Sequence, residues 1–161
     1  MLRELLPIAE TIGTCLKDRG ETIAIAESST GGLISASLLS IGGASAYFVA
    51  GAVVYTKAGR AGLLAITDAD MAGLRPSTAA YALLLARRIR ERHGTTWGLG
   101  ETGASGPAGN RYGDAAGHCC IAIAGPQEIS LTIETNSTDR LANMQAFAEK
   151  ALATLAAALS D

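Results

Sequence analysis

The sequence predicts an α/β fold, a three-layer α/β/α sandwich with a mixed central sheet. Short β-branched or apolar runs alternate along the chain with longer segments whose apolar residues recur at helical spacing. The last two apolar runs are separated only by Gly-Pro-Gln-Glu at 125–128, which is too short for a crossover helix. We therefore expect a terminal antiparallel hairpin at the edge of an otherwise parallel sheet.

Each element has a local signal. The first helix is predicted over 2–19, because apolar residues share one face and Gly20 follows. Turn residues bound every predicted strand, and Ser77 is the predicted N-cap of the fourth helix. The strands are predicted at 22–26, 48–55, 96–101, 118–124 and 129–134, and the later helices at 32–39, 57–64, 77–93 and 138–159. Segment 103–116, rich in glycine and polar residues, is predicted as a functional or mobile loop.

The composition suits one domain spanning residues 1–161. Apolar residues make up 48% and charged residues 17% of the chain, which is enough for a sizeable core. The formal net charge of −2 gives no long-range attraction for a phosphate backbone, so no nucleic-acid partner is expected. No apolar run is long enough for a membrane span and no signal sequence is evident, so we expect no membrane partner and a cytoplasmic location.

The cysteines form no recognisable framework. Cys119 and Cys120 are adjacent, so they would point to opposite faces of a strand, and Cys15 is distant in sequence. No CxxC spacing occurs in the chain. Neither a metal site nor a disulfide network is therefore predicted.

Hydroxyls and glycines are concentrated next to predicted strands. They form four groups, at 28–30, 42–45, 55–57 and 102–107. Ligands of open α/β sheets bind outside the carboxyl ends of the strands, and three of these groups directly follow a predicted strand. The first group also begins a helix, whose N-terminus favours an anion, although these hydroxyls are equally expected as simple helix caps. An anionic small molecule is the predicted ligand.

Few residues are suited to covalent chemistry. Ser45 stands in a glycine-rich turn whose N–H groups could stabilise an oxyanion, although a plain cap or turn role is the alternative. The histidines lie at a helix end and a strand start, so a lysine base is more plausible, and Lys57 is the nearest in sequence. Glu27 and Glu101, at predicted strand ends, are expected to orient N–H groups or hydroxyls rather than to form a glycosidase pair.

Four ordered motifs resemble the C-terminal domain family of the competence/damage-inducible protein CinA. The motifs are Ala-Glu-Ser-Ser-Thr-Gly-Gly at 26–32, Gly-Ala-Ser-Ala-Tyr-Phe at 43–48, Gly51 with Tyr55, and Thr-Gly-Ala-Ser-Gly-Pro at 102–107. Their order and spacing match, and the resemblance covers nearly the whole chain. The resemblance implies the same fold, in a bacterial stand-alone domain without the molybdopterin-binding-like domain that precedes it in longer relatives.

The same resemblance implies an activity. Members of the family hydrolyse the carboxamide of nicotinamide mononucleotide to nicotinate mononucleotide and ammonia. They use a serine and lysine dyad, with no metal and no cofactor. The substrate partner would then be a small mononucleotide.

Matching the motifs position by position assigns candidate residues. The candidate catalytic residues are Ser45, Lys57 and Arg60. The candidate substrate-binding residues are Ser28, Thr30, Gly31, Tyr55, Thr102, Gly103, Ser105 and Arg140. Arg60 stands where the family has its lysine, and a guanidinium stays protonated, so it can stabilise charge but cannot act as a general base.

Further departures open alternatives. Lys57, three residues before Arg60, could share its helix face and supply the base. The loop at 108–114 lacks the usual family pattern, and Met144 stands where an arginine is expected. A nucleotide-binding or regulatory module without catalysis is the second hypothesis, and a structural subunit acting through its surface is the third. Long apolar helices and low charge also predict a homodimer.

Overall fold

The computed structural model describes residues 1–161, with five strands in one sheet. The strands are β1 Ile23–Glu27, β2 Phe48–Val53, β3 Trp97–Ala104, β4 His118–Ala124 and β5 Ile129–Glu134. Their order in the sheet is β2-β1-β3-β4-β5. Strand β1 runs parallel to β2 and β3, whereas β3 pairs with β4 and β4 with β5 in antiparallel fashion. The mixed sheet with a terminal hairpin is confirmed.

Helices cover both faces of this sheet. They are α1 Leu2–Arg19, α2 Leu33–Leu39, α3 Lys57–Leu64, α4 Ala79–His93 and α5 Arg140–Ser160. Helices α1, α2 and α5 pack together on one face, and α3 and α4 lie on the other, which confirms the three layers. No helix here has the combination of length and apolar character needed to cross a bilayer.

The two faces of the sheet differ in side-chain size. Ile23 and Ile25 of β1 belong to the larger core beneath α1 and α5, whereas the alternate residues of β1 are alanines that face α3 and α4. On β3, Gly98 and Gly100 face α4, where an added Cβ would lie 2.1 Å from a helix carbonyl oxygen in each case. Because these glycines carry no side chain, the backbone of α4 packs directly against the backbone of β3. Cys119 and Cys120 lie in different cores, as alternation predicts.

Several boundaries differ from the sequence prediction by one to three residues, and two of these differences have a clear physical cause. Strand β3 continues to Ala104 because β4 pairs with its last residues, so part of the predicted loop is strand. Helix α4 is capped by Thr78, whose side chain accepts the N–H of Tyr81. Ser77 is instead a left-handed residue with φ of 61°. The N-cap prediction is therefore wrong by one residue.

Candidate functional site

A cavity of about 350 Å³ opens at the carboxyl ends of β1, β2 and β3. Its walls come from the turn after β1, the β2–α3 connection, the start of α4 and the loop after β3. The lining residues are Ser28, Val54, Tyr55, Thr56, Lys57, Arg60, Pro76, Ser77, Tyr81, Thr102, Gly103, Asn110, Arg111 and Tyr112. The predicted location of the site, at the ends of the parallel strands, agrees with this cavity.

A smaller cavity of about 210 Å³ adjoins the first. The two share Tyr55, Gly103 and Asn110, and the smaller one is also lined by Ser105 and Arg140. Arg140, the first residue of α5, donates hydrogen bonds to the carbonyl of Gly106 and to the Tyr55 hydroxyl. This guanidinium is therefore held at the rim by uncharged partners.

The charge of the lining is positive. Lys57, Arg60 and Arg111 line the larger cavity and Arg140 the smaller one, whereas no Asp or Glu lines either. Arg60, Arg111 and Arg140 form no ion pair with a carboxylate. A cation-lined concavity of this kind favours an anionic ligand.

Helix α3 presents two candidate catalytic residues, Lys57 and Arg60, to the larger cavity. Lys57 Nζ lies 2.9 Å from Asp68 Oδ1, and both side chains are largely exposed. The hydrogen bond from Lys57 lowers the pKa of the Asp68 carboxyl. The Arg60 guanidinium lies 5.6 Å from the centre of the Tyr81 ring, within cation–π range. Burial raises the pKa of Tyr81, and the charge of Arg60 opposes that shift.

Ser28 is the first residue after β1 and lines the larger cavity. Its backbone N–H donates to Glu101 Oε2 at 2.9 Å, which fixes the position of the residue. Its side chain is half-buried, and its hydroxyl has no hydrogen-bond partner in the protein. The Ser77 hydroxyl also has no partner in the protein, but Ser77 is a buried residue. Ser28 is thus the more accessible of the two free serine hydroxyls in the cation-lined cavity.

Glu27 and Glu101 hold the turn that carries Ser28. Glu27 accepts hydrogen bonds from three backbone N–H groups at the start of α2, and Glu101 accepts the N–H groups of Ser28 and Thr30. Burial raises the pKa of Glu101, and hydrogen bonds from Ser29, Ser28 and Thr30 oppose that shift. The expectation that both carboxyls orient N–H groups and hydroxyls is confirmed.

Ser45 is far from this site, which corrects its prediction as the nucleophile. It lies on the short 3-10 helix Ala44–Ala46, before β2, and lines neither cavity. Because β2 runs parallel to β1, the six residues of β2 separate Ser45 from the cavity end of the sheet. That strand spans roughly 20 Å at a typical rise per residue. The predicted strand at 48–55 already places Ser45 before β2, but only the parallel pairing with β1 shows that this is the end of the sheet away from the cavity.

Two residues predicted to bind substrate are instead part of the scaffold. The Thr30 side chain is fully buried, and its hydroxyl contacts Glu27 and Glu101. Gly31 has φ of 64° and lines neither cavity, so its role is the left-handed turn into α2. Neither is placed to contact a ligand.

The other candidates lie at the cavities. Tyr55 and Gly103 line both, and a Cβ on Gly103 would lie 2.5 Å from a backbone oxygen of β4. The Thr102 hydroxyl accepts the N–H of Ser77 at 3.1 Å, which leaves it limited freedom to contact a ligand. Ser105 contributes to the smaller cavity and is itself buried.

Several lining residues were not identified from the sequence. Tyr81 lies in the fourth predicted helix, and Asn110, Arg111 and Tyr112 lie in the predicted loop, without a predicted role in the site. That loop is ordered by Asn110, whose side-chain oxygen accepts the N–H groups of Tyr112 and Asp114. The sequence Asn-Arg-Tyr-Gly at 110–113 has asparagine at the first and glycine at the fourth position of a β-turn, a signal that could have revealed this ordering.

The Asn110 turn is tied to the cavity wall. Arg75 forms a two-point ion pair with Asp114, at 2.8 and 3.2 Å. The guanidinium groups of Arg75 and Arg111 lie 5.3 and 5.1 Å from the centre of the Tyr112 ring. Tyr112 is thereby held as an aromatic wall of the cavity.

His118 contacts Ser77, another residue of the cavity wall. Its Nε2 lies 2.8 Å from the carbonyl oxygen of Ser77, and its Nδ1 contacts the Glu134 carboxylate. Both partners accept hydrogen bonds, so both ring nitrogens donate and the imidazole is positively charged. Burial lowers the pKa of His118, but the bonds to Glu134 and Ser77 and the charge of Asp114 outweigh burial and raise it above 6.5.

This arrangement predicts a pH dependence of stability. Because the pKa of His118 is higher in the folded state, its contribution is complete below about pH 6.5 and is lost as pH rises through the folded value. We expect the free energy of unfolding to fall as pH rises from about 6 to about 9, measured by urea titration. His118→Asn should reduce that slope, and an equal slope in the variant would contradict the assignment.

The fold and the site define a class of protein, the α/β/α domains with a mixed five-stranded sheet and a cation-lined pocket at the ends of the parallel strands. A profile of the CinA C-terminal domain matches residues 5–159. The chain therefore belongs to the CinA C-terminal domain family.

Curated relatives agree with this assignment. The chain is 38% identical over 119 residues to a CinA-like protein of Nostoc sp., covering 74% of this chain and 28% of that protein. It is 33% identical over 150 residues to a CinA-like protein of Chlorobium limicola, covering 90% of this chain and 35% of that protein. The chain thus spans only about a third of the length of these relatives.

Solved structures share the fold. A competence/damage inducible protein from Agrobacterium tumefaciens superposes with a TM-score of 0.89 at 25% identity, covering 98% of this chain and 96% of that one. A CinA superfamily protein from Klebsiella pneumoniae superposes with a TM-score of 0.90 at 22% identity, covering 97% and 98%. The predicted fold class and family resemblance are confirmed.

Proposed function

We propose that the chain hydrolyses the carboxamide of nicotinamide mononucleotide to nicotinate mononucleotide and ammonia, with Ser28 as the nucleophile. The observation that carries this proposal is the unpartnered Ser28 hydroxyl in a cavity lined by cations and by no carboxylate. Its volume of about 350 Å³ is suited to a small molecule. Family membership supports the same reaction class.

The two cavities suit the two ends of a mononucleotide. Arg140, with uncharged partners and a glycine-rich loop beside it, is a suitable ligand for the phosphate. Tyr55, which lines both cavities, can hydrogen-bond the ribose between them. The pyridine ring and its carboxamide would then occupy the larger cavity, next to Ser28.

In the proposed reaction the Ser28 oxygen attacks the carboxamide carbon and its proton passes to a base. The base returns this proton to the leaving nitrogen, so the tetrahedral intermediate expels ammonia and leaves an acyl ester on Ser28, which water then hydrolyses. Arg60 stays protonated and stabilises negative charge in the intermediate. Lys57 is the lysine that lines the cavity and is proposed as the base. Its ion pair with Asp68 is exposed, so the pair contributes little and can break when substrate binds.

Ammonia release from nicotinamide mononucleotide tests this function directly. Purified protein at millimolar substrate is expected to release ammonia and nicotinate mononucleotide in equal amounts. Absence of both products would remove the proposal. Nicotinamide riboside, which lacks the phosphate, is the matched control and should react more slowly because Arg140 has no anion to bind.

Arg60→Lys is expected to raise the rate. A lysine at this position in the cavity wall can lose its proton, whereas the arginine cannot. A positioned general base contributes on the order of 10²-fold or more, so kcat should rise while KM changes little. An unchanged kcat in this variant, together with loss of activity in Lys57→Met, would show that Lys57 already serves as the base.

Binding without catalysis is the second candidate function. It is favoured by one observation: the family lysine position holds Arg60, and the neighbouring amine of Lys57 is engaged with Asp68. Calorimetric titration with nicotinamide mononucleotide distinguishes the two functions. Heat of binding without ammonia release would identify a nucleotide-binding module.

A further inference from the structure

Two buried carboxyl groups beneath the Ser28 turn contact the same hydroxyl. Thr30 Oγ1 lies 2.7 Å from Glu27 Oε1 and 2.8 Å from Glu101 Oε2. The side chains of Glu27, Thr30 and Glu101 are all 0% exposed, so bulk solvent does not screen them from one another. The protonation of this trio therefore has a large effect on its energy.

The hydroxyl carries too few protons for two ionised neighbours. Thr30 has one hydroxyl proton and can donate it to only one of the two carboxyl oxygens. If both carboxyls were ionised, the carboxylate that does not receive the Thr30 proton would face a lone pair of the Thr30 hydroxyl at hydrogen-bond distance, which is repulsive. Two buried like charges would also face each other across a single oxygen atom. Neutralising one carboxyl removes the repulsion between the two charges. The Thr30 proton can then go to the carboxyl that stays ionised, so that the hydroxyl lone pair faces an uncharged group.

Glu27 has the partners that stabilise a charge. Its Oε1 accepts the N–H groups of Gly32 at 2.8 Å and Ile34 at 3.2 Å. Its Oε2 accepts both the N–H and the hydroxyl of Ser35, at 2.9 and 2.8 Å. Both oxygens are therefore committed as acceptors at the positive end of α2.

Glu101 has fewer such partners. Its Oε2 accepts the N–H groups of Ser28 and Thr30, but its Oε1 contacts only the Ser29 hydroxyl and the Cys119 thiol. Burial raises the pKa of Glu101 and also that of the Cys119 thiol. Two titratable groups lie next to Glu101. Cys119 from β4 contacts it directly and Glu27 from β1 contacts it through Thr30, and neither carries a positive charge.

We propose that Glu101 is a neutral carboxylic acid at neutral pH and positions Ser28 without placing a second negative charge beneath the anion-binding cavity. The pair then carries one charge, on Glu27. The carbonyl-like Oε2 of Glu101 accepts the N–H of Ser28, and its Oε1 faces the Ser29 hydroxyl. Glu101 is thus a positioning residue, and its protonation state can be measured whether or not the chain proves to be an amidohydrolase.

Glutamine replacements of Glu27 and Glu101 distinguish a neutral carboxyl group from an ionised one. In Glu101→Gln the amide oxygen can accept the N–H groups of Ser28 and Thr30, and the amide nitrogen can donate to Ser29. Glutamine therefore reproduces the hydrogen bonds of a protonated Glu101. In Glu27→Gln the amide nitrogen must face a backbone N–H, whichever way the group turns. We expect an unchanged urea midpoint at pH 7 in the first variant and a lowered midpoint in the second.

A spectroscopic measurement makes the test independent of folding. Infrared difference spectra of the protein, wild type minus Glu101→Gln, should show the C=O band of a protonated buried carboxyl at neutral pH. The wild type should lose stability relative to Glu101→Gln as pH rises from the ordinary pKa of a glutamate to the raised pKa of the folded state, and the band should disappear as pH passes that raised value. A missing band, or a midpoint in Glu101→Gln that falls as far as in Glu27→Gln, would overturn the proposal.

Discussion

Replacing Ser28 with alanine is expected to abolish amide hydrolysis while leaving the fold and ligand binding intact. The Ser28 hydroxyl is bonded to nothing in the protein, so its removal breaks no internal hydrogen bond. Loss of a serine nucleophile lowers kcat by on the order of 10⁴-fold to 10⁶-fold. The measurement is ammonia release from nicotinamide mononucleotide, with calorimetric titration to show that the variant still binds the substrate.

Ser45→Ala is the matched control. Ser45 is exposed on the short helix before β2, at the opposite end of the sheet from the cavity, so its loss should leave the rate unchanged. The pair of variants decides between Ser28 and Ser45 as the nucleophile. Full activity in Ser28→Ala, or inactivity confined to Ser45→Ala, would reverse the assignment made from the structure.

Gly100→Ala is expected to give the largest loss of stability. The added Cβ would lie 2.1 Å from the carbonyl oxygen of Ala82 and 2.8 Å from the backbone nitrogen of Ala86. Backbone atoms cannot escape by changing rotamer, so α4 must move away from β3. We expect the free energy of unfolding to fall by at least about 3 kcal/mol, measured by urea titration. Activity should fall as well, because α4 carries Tyr81, which lines the larger cavity.

Gly62→Ala is the matched control for that experiment. Gly62 lies in α3, and a Cβ at this position would meet nothing within 4 Å. Alanine in a helix is more favourable than glycine by about 0.5–1 kcal/mol, so this variant should be slightly more stable. If Gly100→Ala matched the stability of Gly62→Ala, the close approach of α4 to β3 would be disproved.

Elements were predicted most successfully where their signals are local. The ranges of α1, α3, β4 and β5 agree with the prediction, because apolar periodicity and flanking turn residues determine them. The end of β3 was missed because Thr102, Gly103 and Ala104 become strand only by pairing with β4. Thr78 rather than Ser77 caps α4, since Ser77 is held in a left-handed conformation by its contacts with Thr102 and His118.

Amino-acid order alone determined the family, the three layers and the presence of an anion-suited rim, because these depend on side-chain periodicity and on motifs that are contiguous in the chain. Only the tertiary structure decided which serine faces the cavity, since strand direction and register place Ser28 and Ser45 at opposite ends of the sheet. The same holds for Glu101 beneath the Ser28 turn and for Tyr81 and Tyr112 in the cavity wall. These contacts join residues far apart in the chain, and packing brings them together.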